Sequence, residues 1–162
     1  MLILIVGNDA VFPSDVVHQM RQWGHRVEST AMGQDAIIRA QRIPFDLVLL
    51  DVLLPDVSGQ VLIPQIKALQ PETKIIAVAE YNTEQLEKDI RKLGISYYLT
   101  KPFPTEELKS ILDHTQKALM KTSLRFDSAF LSEPRRQGVE GSDANEDKDR
   151  DGSLGTNEWK RS

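Results

Sequence analysis

The chain has no cysteine. Disulfides and thiolate metal sites are thereby excluded, and a reducing cytoplasm is the expected location. A long apolar run is also lacking. Met1–Val6 is apolar but short. It has no basic segment ahead of it, no extended apolar core and no small-residue cleavage site, so a signal peptide is not expected. No stretch approaches the ~20 apolar residues that cross a bilayer, and no membrane partner is expected. Charge of one sign is lacking too: 20 Lys+Arg against 24 Asp+Glu leave a net charge of -4. That balance does not mark a nucleic-acid binder, which carries a basic face. The sequence shows no internal repeat, Gly-rich phosphate loop, nucleophile triad or glycosidase-like carboxylate pair. His18, His25 and His114 have no ligand spacing and read as surface or helix residues.

What is present is an alternation. Five apolar runs have the length of buried strands: Leu2–Val6, Val27–Thr30, Leu47–Leu50, Lys74–Ala79 and Tyr97–Thr100. Runs without polar alternation fit parallel strands covered on both faces. Helical spacing separates them. It is carried by Val16, Val17, Met20 and Trp23 before Gly24, and by Ala36, Ile37 and Ala40 after Gly33. Val61, Leu62, Ile66 and Leu69 precede Pro71, and Leu86, Ile90 and Leu93 precede Gly94. Leu108, Ile111, Leu112, Thr115 and Leu119 follow Pro104.

Parallel strands need crossover connections, which are right-handed almost without exception. The expected fold is therefore α/β, a doubly wound five-stranded parallel sheet flanked by five helices. Ligands of such sheets sit outside the carboxyl ends of the strands. The expected domain covers residues 1–121. A polar stretch, 122–146, reads as a flexible linker, with Phe126, Phe130 and Leu131 as its apolar handles.

The strand ends bring together Gly7, Asn8 and Asp9, then Asp51, then Ala79 and Glu80, then Lys101. A carboxylate can attack phosphorus to give an aspartyl-phosphate, and a cation opposite stabilises the transferred charge. Mg²⁺ joins such sites through one or two carboxylates and phosphate oxygens. Leu47-Val-Leu-Leu-Asp51-Val-Leu-Leu-Pro55-Asp-Val-Ser-Gly59, with Tyr98-Leu-Thr-Lys101-Pro102-Phe103 downstream, resembles the CheY-like response-regulator receiver domain. CheY is itself an example of this flavodoxin-like topology, strand order 2-1-3-4-5. The resemblance implies that Asp51 accepts a phosphoryl group from a histidine kinase or phosphotransfer protein. It implies that Lys101 contacts that group, that Lys101–Pro102 is cis, and that Pro55 and Gly59 shape the loop after strand three. It implies a signalling module, not an enzyme.

The chain departs from that pattern in three places. The family's acidic pair after strand one falls on Gly7 and Asn8; Asn8 keeps an oxygen but loses a charge, so Mg²⁺ held by Asn8 and Asp51 is expected to bind weakly. The family's Thr or Ser at the end of strand four is Ala79, which has no donor, and Glu80 follows it. Tyr98 takes the aromatic-switch position, where its ring is expected half buried with a solvated hydroxyl. The alternative function is a pseudo-receiver, an interaction module independent of phosphorylation, in which Asp51 and Lys101 form a structural ion pair. Asp15, Asp46, Asp56 and Asp89 read as caps, turn residues or solvated face.

Residues 147–158 fit a twelve-residue EF-hand loop. Asp147, Asp149 and Asp151 stand at positions 1, 3 and 5, Gly152 at the sharp turn, Ser153 at the backbone-carbonyl position and Glu158 at position 12. This is an oxygen-rich cage of the kind Ca²⁺ prefers. The residues around it are too few or too polar for flanking helices, so weak Ca²⁺ binding is expected, and modulation of the domain by calcium through this acidic tail belongs to the alternative function.

Overall fold

The computed structural model describes residues 1–132, with side chains through 125. Five strands alternate with five helices: β1 (Leu2–Val6), α1 (Ser14–Gln22), β2 (Arg26–Thr30), α2 (Gly33–Ala40), β3 (Leu47–Asp51), α3 (Gly59–Leu69), β4 (Lys74–Ala79), α4 (Glu84–Arg91), β5 (Tyr97–Thr100) and α5 (Thr105–Ser132). The sheet is parallel throughout, in the order β2-β1-β3-β4-β5. The expected topology is the observed one.

Side-chain alternation along the strands explains the two layers. Leu4, Val6, Val48, Leu50, Ile75 and Ala77 point to one face, where they meet Ala36, Leu62, Ile63, Ile66 and Ile90 of α2, α3 and α4. Ile3, Ile5, Leu47, Leu49, Ile76 and Val78 point to the other, where they meet Met20 of α1 and Leu108 and Leu112 of α5. The inner strands are apolar at both parities because both faces are covered. Edge strand β2 alternates instead, with Val27 buried and Arg26 exposed.

Two turns show why glycine stands where it does. Gly24 after α1 and Gly94 after α4 adopt φ of 90° and 82°, the left-handed region that a side chain disfavours at a helix end.

At the opposite end of the sheet from the strand tips, Gln70 ties three segments together. Its amide nitrogen donates to the carbonyls of Ala40 and Ile43, both at 2.6 Å. Its oxygen accepts from the Phe45 N–H and the Thr73 hydroxyl, both at 2.8 Å.

Two expectations need correction. The linker expected from residue 122 begins as helix: α5 continues to Ser132, and one compact unit runs Met1–Arg125. Residues 122–132 hold no Pro or Gly, so nothing in them stops a helix already nucleated by α5 on the sheet; the first Pro downstream is Pro134. His25 is neither a surface nor a helix residue. It lies before β2, is buried, and its Nε2 has no hydrogen-bond partner among the described residues. Burial lowers its pKa, and the neighbouring terminal ammonium adds to that.

Candidate functional site

Asp51 is the last residue of β3, paired in register with Val78 of β4, and is 5% exposed. Its Oδ1 accepts the N–H of Leu53 at 2.9 Å. The loop that follows doubles back: Leu53 bridges Ser58, and the Gly59 N–H donates to the Val52 carbonyl at 2.9 Å. A Cβ on Gly59 would stand 3.0 Å from Val52 Cα, so glycine lets α3 begin hard against the strand end. Burial pushes the Asp51 carboxyl up from its ordinary value, and the Glu80 charge adds to that; the Leu53 N–H and the Lys101 charge oppose it.

Lys101 follows β5, and Lys101–Pro102 is cis, as expected. Its ammonium donates to the Ala10 carbonyl at 2.6 Å. Burial lowers its pKa, while Glu80 and then Asp51 raise it. Neither Asp51 nor Lys101 is among the ion pairs formed by the described residues. The structural ion pair of the alternative reading is therefore absent from this arrangement. Asp51 and Lys101 share one edge of the sheet, with the lysine anchored on the β1–α1 loop.

Asn8 stands at that edge but faces its own turn. Its Oδ1 accepts the N–H groups of Ala10 at 3.0 Å and Val11 at 3.2 Å, and its carbonyl accepts Val11 at 3.1 Å and Phe12 at 2.9 Å. The turn returns Phe12 onto Gly7. A Cβ on Gly7 would lie 2.7 and 2.8 Å from Phe12 Cε2 and Cδ2, and 3.2 Å from Asp51 Cβ. No cluster of three or more His, Asp or Glu able to hold a metal occurs among the described residues. One buried carboxylate, an amide oxygen already engaged and an aromatic edge do not make a fitting Mg²⁺ site, since this ion wants oxygen ligands in near-octahedral array.

Ala79 is fully buried and supplies no hydroxyl. Tyr98 is half-buried, but its hydroxyl is not simply solvated: it donates to Asn82 Oδ1 at 2.8 Å, and the Arg91 guanidinium lies 5.5 Å from the ring centroid. Burial raises the Tyr98 pKa, and the Glu87 charge adds to it. Asp56 does what a capping reading predicts, at long range. Its two oxygens accept the Gly33 and Gln34 N–H groups at the start of α2, both at 2.9 Å.

Phe12, Ala10 and Asn82 were not legible as site residues. The one sequence signal was Gly7, where the resemblance expects a side chain, because the missing volume has to be filled. Asp147, Asp149, Asp151, Ser153 and Glu158 lie outside the described residues, as do the rest of the linker and the side chains of Phe126, Phe130 and Leu131.

A doubly wound parallel sheet with a buried carboxylate at the end of β3 and a lysine at a cis-proline after β5 is the arrangement of a receiver-type fold. Residues 3–113 match the response regulator receiver domain family, and the chain belongs to it. The transcriptional regulatory protein ZraR of Salmonella typhimurium is 28% identical over 131 residues, covering 81% of this chain and 30% of that protein. The signal transduction histidine-protein kinase BarA of Escherichia coli is 35% identical over 88 residues, covering 53% of this chain and 10% of that one. The chain thus spans under a third of the length of these relatives. Among solved structures, the receiver domain of the sensor histidine kinase PA1611 from Pseudomonas aeruginosa PAO1, with magnesium coordinated in its active-site cleft, superposes with a TM-score of 0.62. It shares 30% identity, with 70% of this chain and 94% of that one covered. The chain is a receiver domain of two-component signalling, a family that works with histidine kinases or phosphotransfer proteins. No helix among the described residues is long and apolar enough to cross a membrane.

Proposed function

We propose that Asp51 is the phosphoacceptor of this receiver domain, with Lys101 as the cation that meets the transferred group. The observation that supports it is the placement of one buried carboxylate at the C-terminal end of β3, with the Lys101 ammonium across the same sheet edge. A carboxylate oxygen of Asp51 forms the new O–P bond as the donor's P–N bond breaks, and the electron pair leaves with the imidazole nitrogen. The lysine offsets charge on the phosphoryl oxygens. The domain acts as acceptor in a transfer from a histidine kinase or phosphotransfer protein, not as an enzyme turning over a substrate of its own. The weak Mg²⁺ binding expected of Asn8 and Asp51 is not supported by this arrangement, because Asn8 Oδ1 already accepts two N–H groups. The protein is incubated with a small phosphodonor, with and without Mg²⁺, and weighed. A gain of one phosphoryl mass that Asp51→Asn abolishes supports the assignment; no gain sinks it.

A second reading is a pseudo-receiver that binds its partner without phosphotransfer. The Phe12 ring against Gly7, the missing hydroxyl at Ala79 and the Tyr98–Asn82 hydrogen bond favour it. Under this reading Asp51→Ala leaves partner affinity unchanged.

The tail from Asp147 to Glu158 is proposed as a weak Ca²⁺ loop on its sequence pattern alone. Terbium luminescence sensitised by Trp159 tests it, and no signal at millimolar metal refutes it.

A further inference from the structure

We infer that the Phe12 side chain is the residue that closes the strand-end site to a divalent cation, by filling the volume into which a side chain at position 7 would project. The inference rests on reading Asp51 as the receiver centre, but not on its phosphorylation.

Gly7 follows β1 directly, its N–H bonded to the Thr30 carbonyl at 2.9 Å. By strand parity it continues the Ile3, Ile5 side of β1, and Asp51 continues the Leu47, Leu49 side of β3; these are the same face. A Cβ on Gly7 would touch both Phe12 and Asp51, with the Phe12 contacts below any real carbon–carbon approach. The ring and the Asp51 side chain therefore border one small volume, and the ring occupies it.

The ring is held there by its own turn. Asn8 accepts four backbone N–H contacts, two at its carbonyl and two at Oδ1, and these close residues 8–12 over the end of β1. Phe12 is 3% exposed and belongs to the cluster formed with Ile5, Val11 and Met20. A phenyl edge cannot ligate a hard cation, and it displaces the waters that Mg²⁺ keeps. The missing side chain at position 7 and the ring of Phe12 thus concern the same volume. Restoring the acid alone should not restore the site.

The test is a cycle of Gly7→Asp, Phe12→Val and the double variant in the full chain, titrated with Mn²⁺ as a paramagnetic probe. Amide broadening is read residue by residue by NMR, so a cation bound elsewhere in the chain is recognised as such. Circular dichroism reports folding. The wild type and each single variant are expected to show no selective broadening at Gly7–Phe12 and Asp51–Leu53 at ~1 mM metal, above the range that oxygen-ligand sensor sites need. The double variant is expected to show it with at least about tenfold tighter apparent affinity, and Asp51→Asn in that background is expected to remove it. Selective broadening in the wild type, or in Gly7→Asp alone as strong as in the double variant, overturns the inference. The wild-type and Gly7→Asp arms stand even if Phe12→Val does not fold. Failure of the phosphoacceptor reading shows instead as an absent mass gain, with these titrations unaffected.

Discussion

Lys101 donates to the carbonyl of Ala10, at 2.6 Å, and not to Asp51. The ammonium is thereby parked on the β1–α1 loop, while the carboxylate it would serve is tied to Leu53. Burial raises the Asp51 pKa and lowers that of Lys101; the Glu80 charge adds to the first shift and opposes the second.

Phosphorylation is expected to draw Lys101 off that carbonyl. Ala10 C=O and the Val11 N–H belong to one peptide, so the Val11 amide resonance should shift on treatment with a small phosphodonor. An unmoved Val11 signal in a sample whose mass shows the phosphoryl group would disprove this movement.

Asp51→Asn is expected to stabilise the fold at neutral pH. The folded-state carboxyl has a raised pKa, so the native protein binds the proton more tightly than the unfolded chain. Stability therefore falls as pH climbs from the ordinary carboxylate range through the raised value. Asparagine removes that fall while keeping an oxygen for Leu53. Urea melts should show a difference on the order of 1 kcal/mol at neutral pH, shrinking towards zero in acid. A gain that grows on acidification contradicts the sign.

Ala79→Thr, which restores the family's hydroxyl, is expected to destabilise by about 1–3 kcal/mol. Ala79 is fully buried against the face covered by α2, α3 and α4, so the extra atoms enter a packed interior. Denaturant midpoints measure it; an unchanged midpoint would show the space to be available.

Gln70→Ala is expected to cost on the order of 2–3 kcal/mol. It strips partners from the carbonyls of Ala40 and Ile43 and from the Phe45 N–H at once. Faster amide exchange at Phe45 should accompany the loss, and protection as in the wild type would argue that another group takes over.

The parts of the fold written in local periodicity were legible. β1, β4 and β5 fall where unbroken apolar runs put them. β3 runs one residue past its apolar stretch, because the ladder continues to Asp51, the strand end on which the site is built. The extent of α5 was missed because a polar composition was read as loop where no breaker was present. At the site, Asp51 and Lys101 were readable because each stands inside a motif. Ala10, Phe12 and Asn82 were not, because each acts through a backbone oxygen, a ring edge or an amide that only the folded turns bring into range. Asp56 was legible only as a cap, a turn residue or solvated face, because the helix start it caps, at Gly33, lies 23 residues earlier.

That separation has a consequence. The first turn of α2 borrows its cap from the segment between Asp51 and α3, and a Cβ on Gly33 would overlap Val57 of the same segment. The two pieces of chain are therefore coupled through these contacts. A displacement of residues 53–58 that follows a change at Asp51 either carries the start of α2 with it or exchanges the two caps for water.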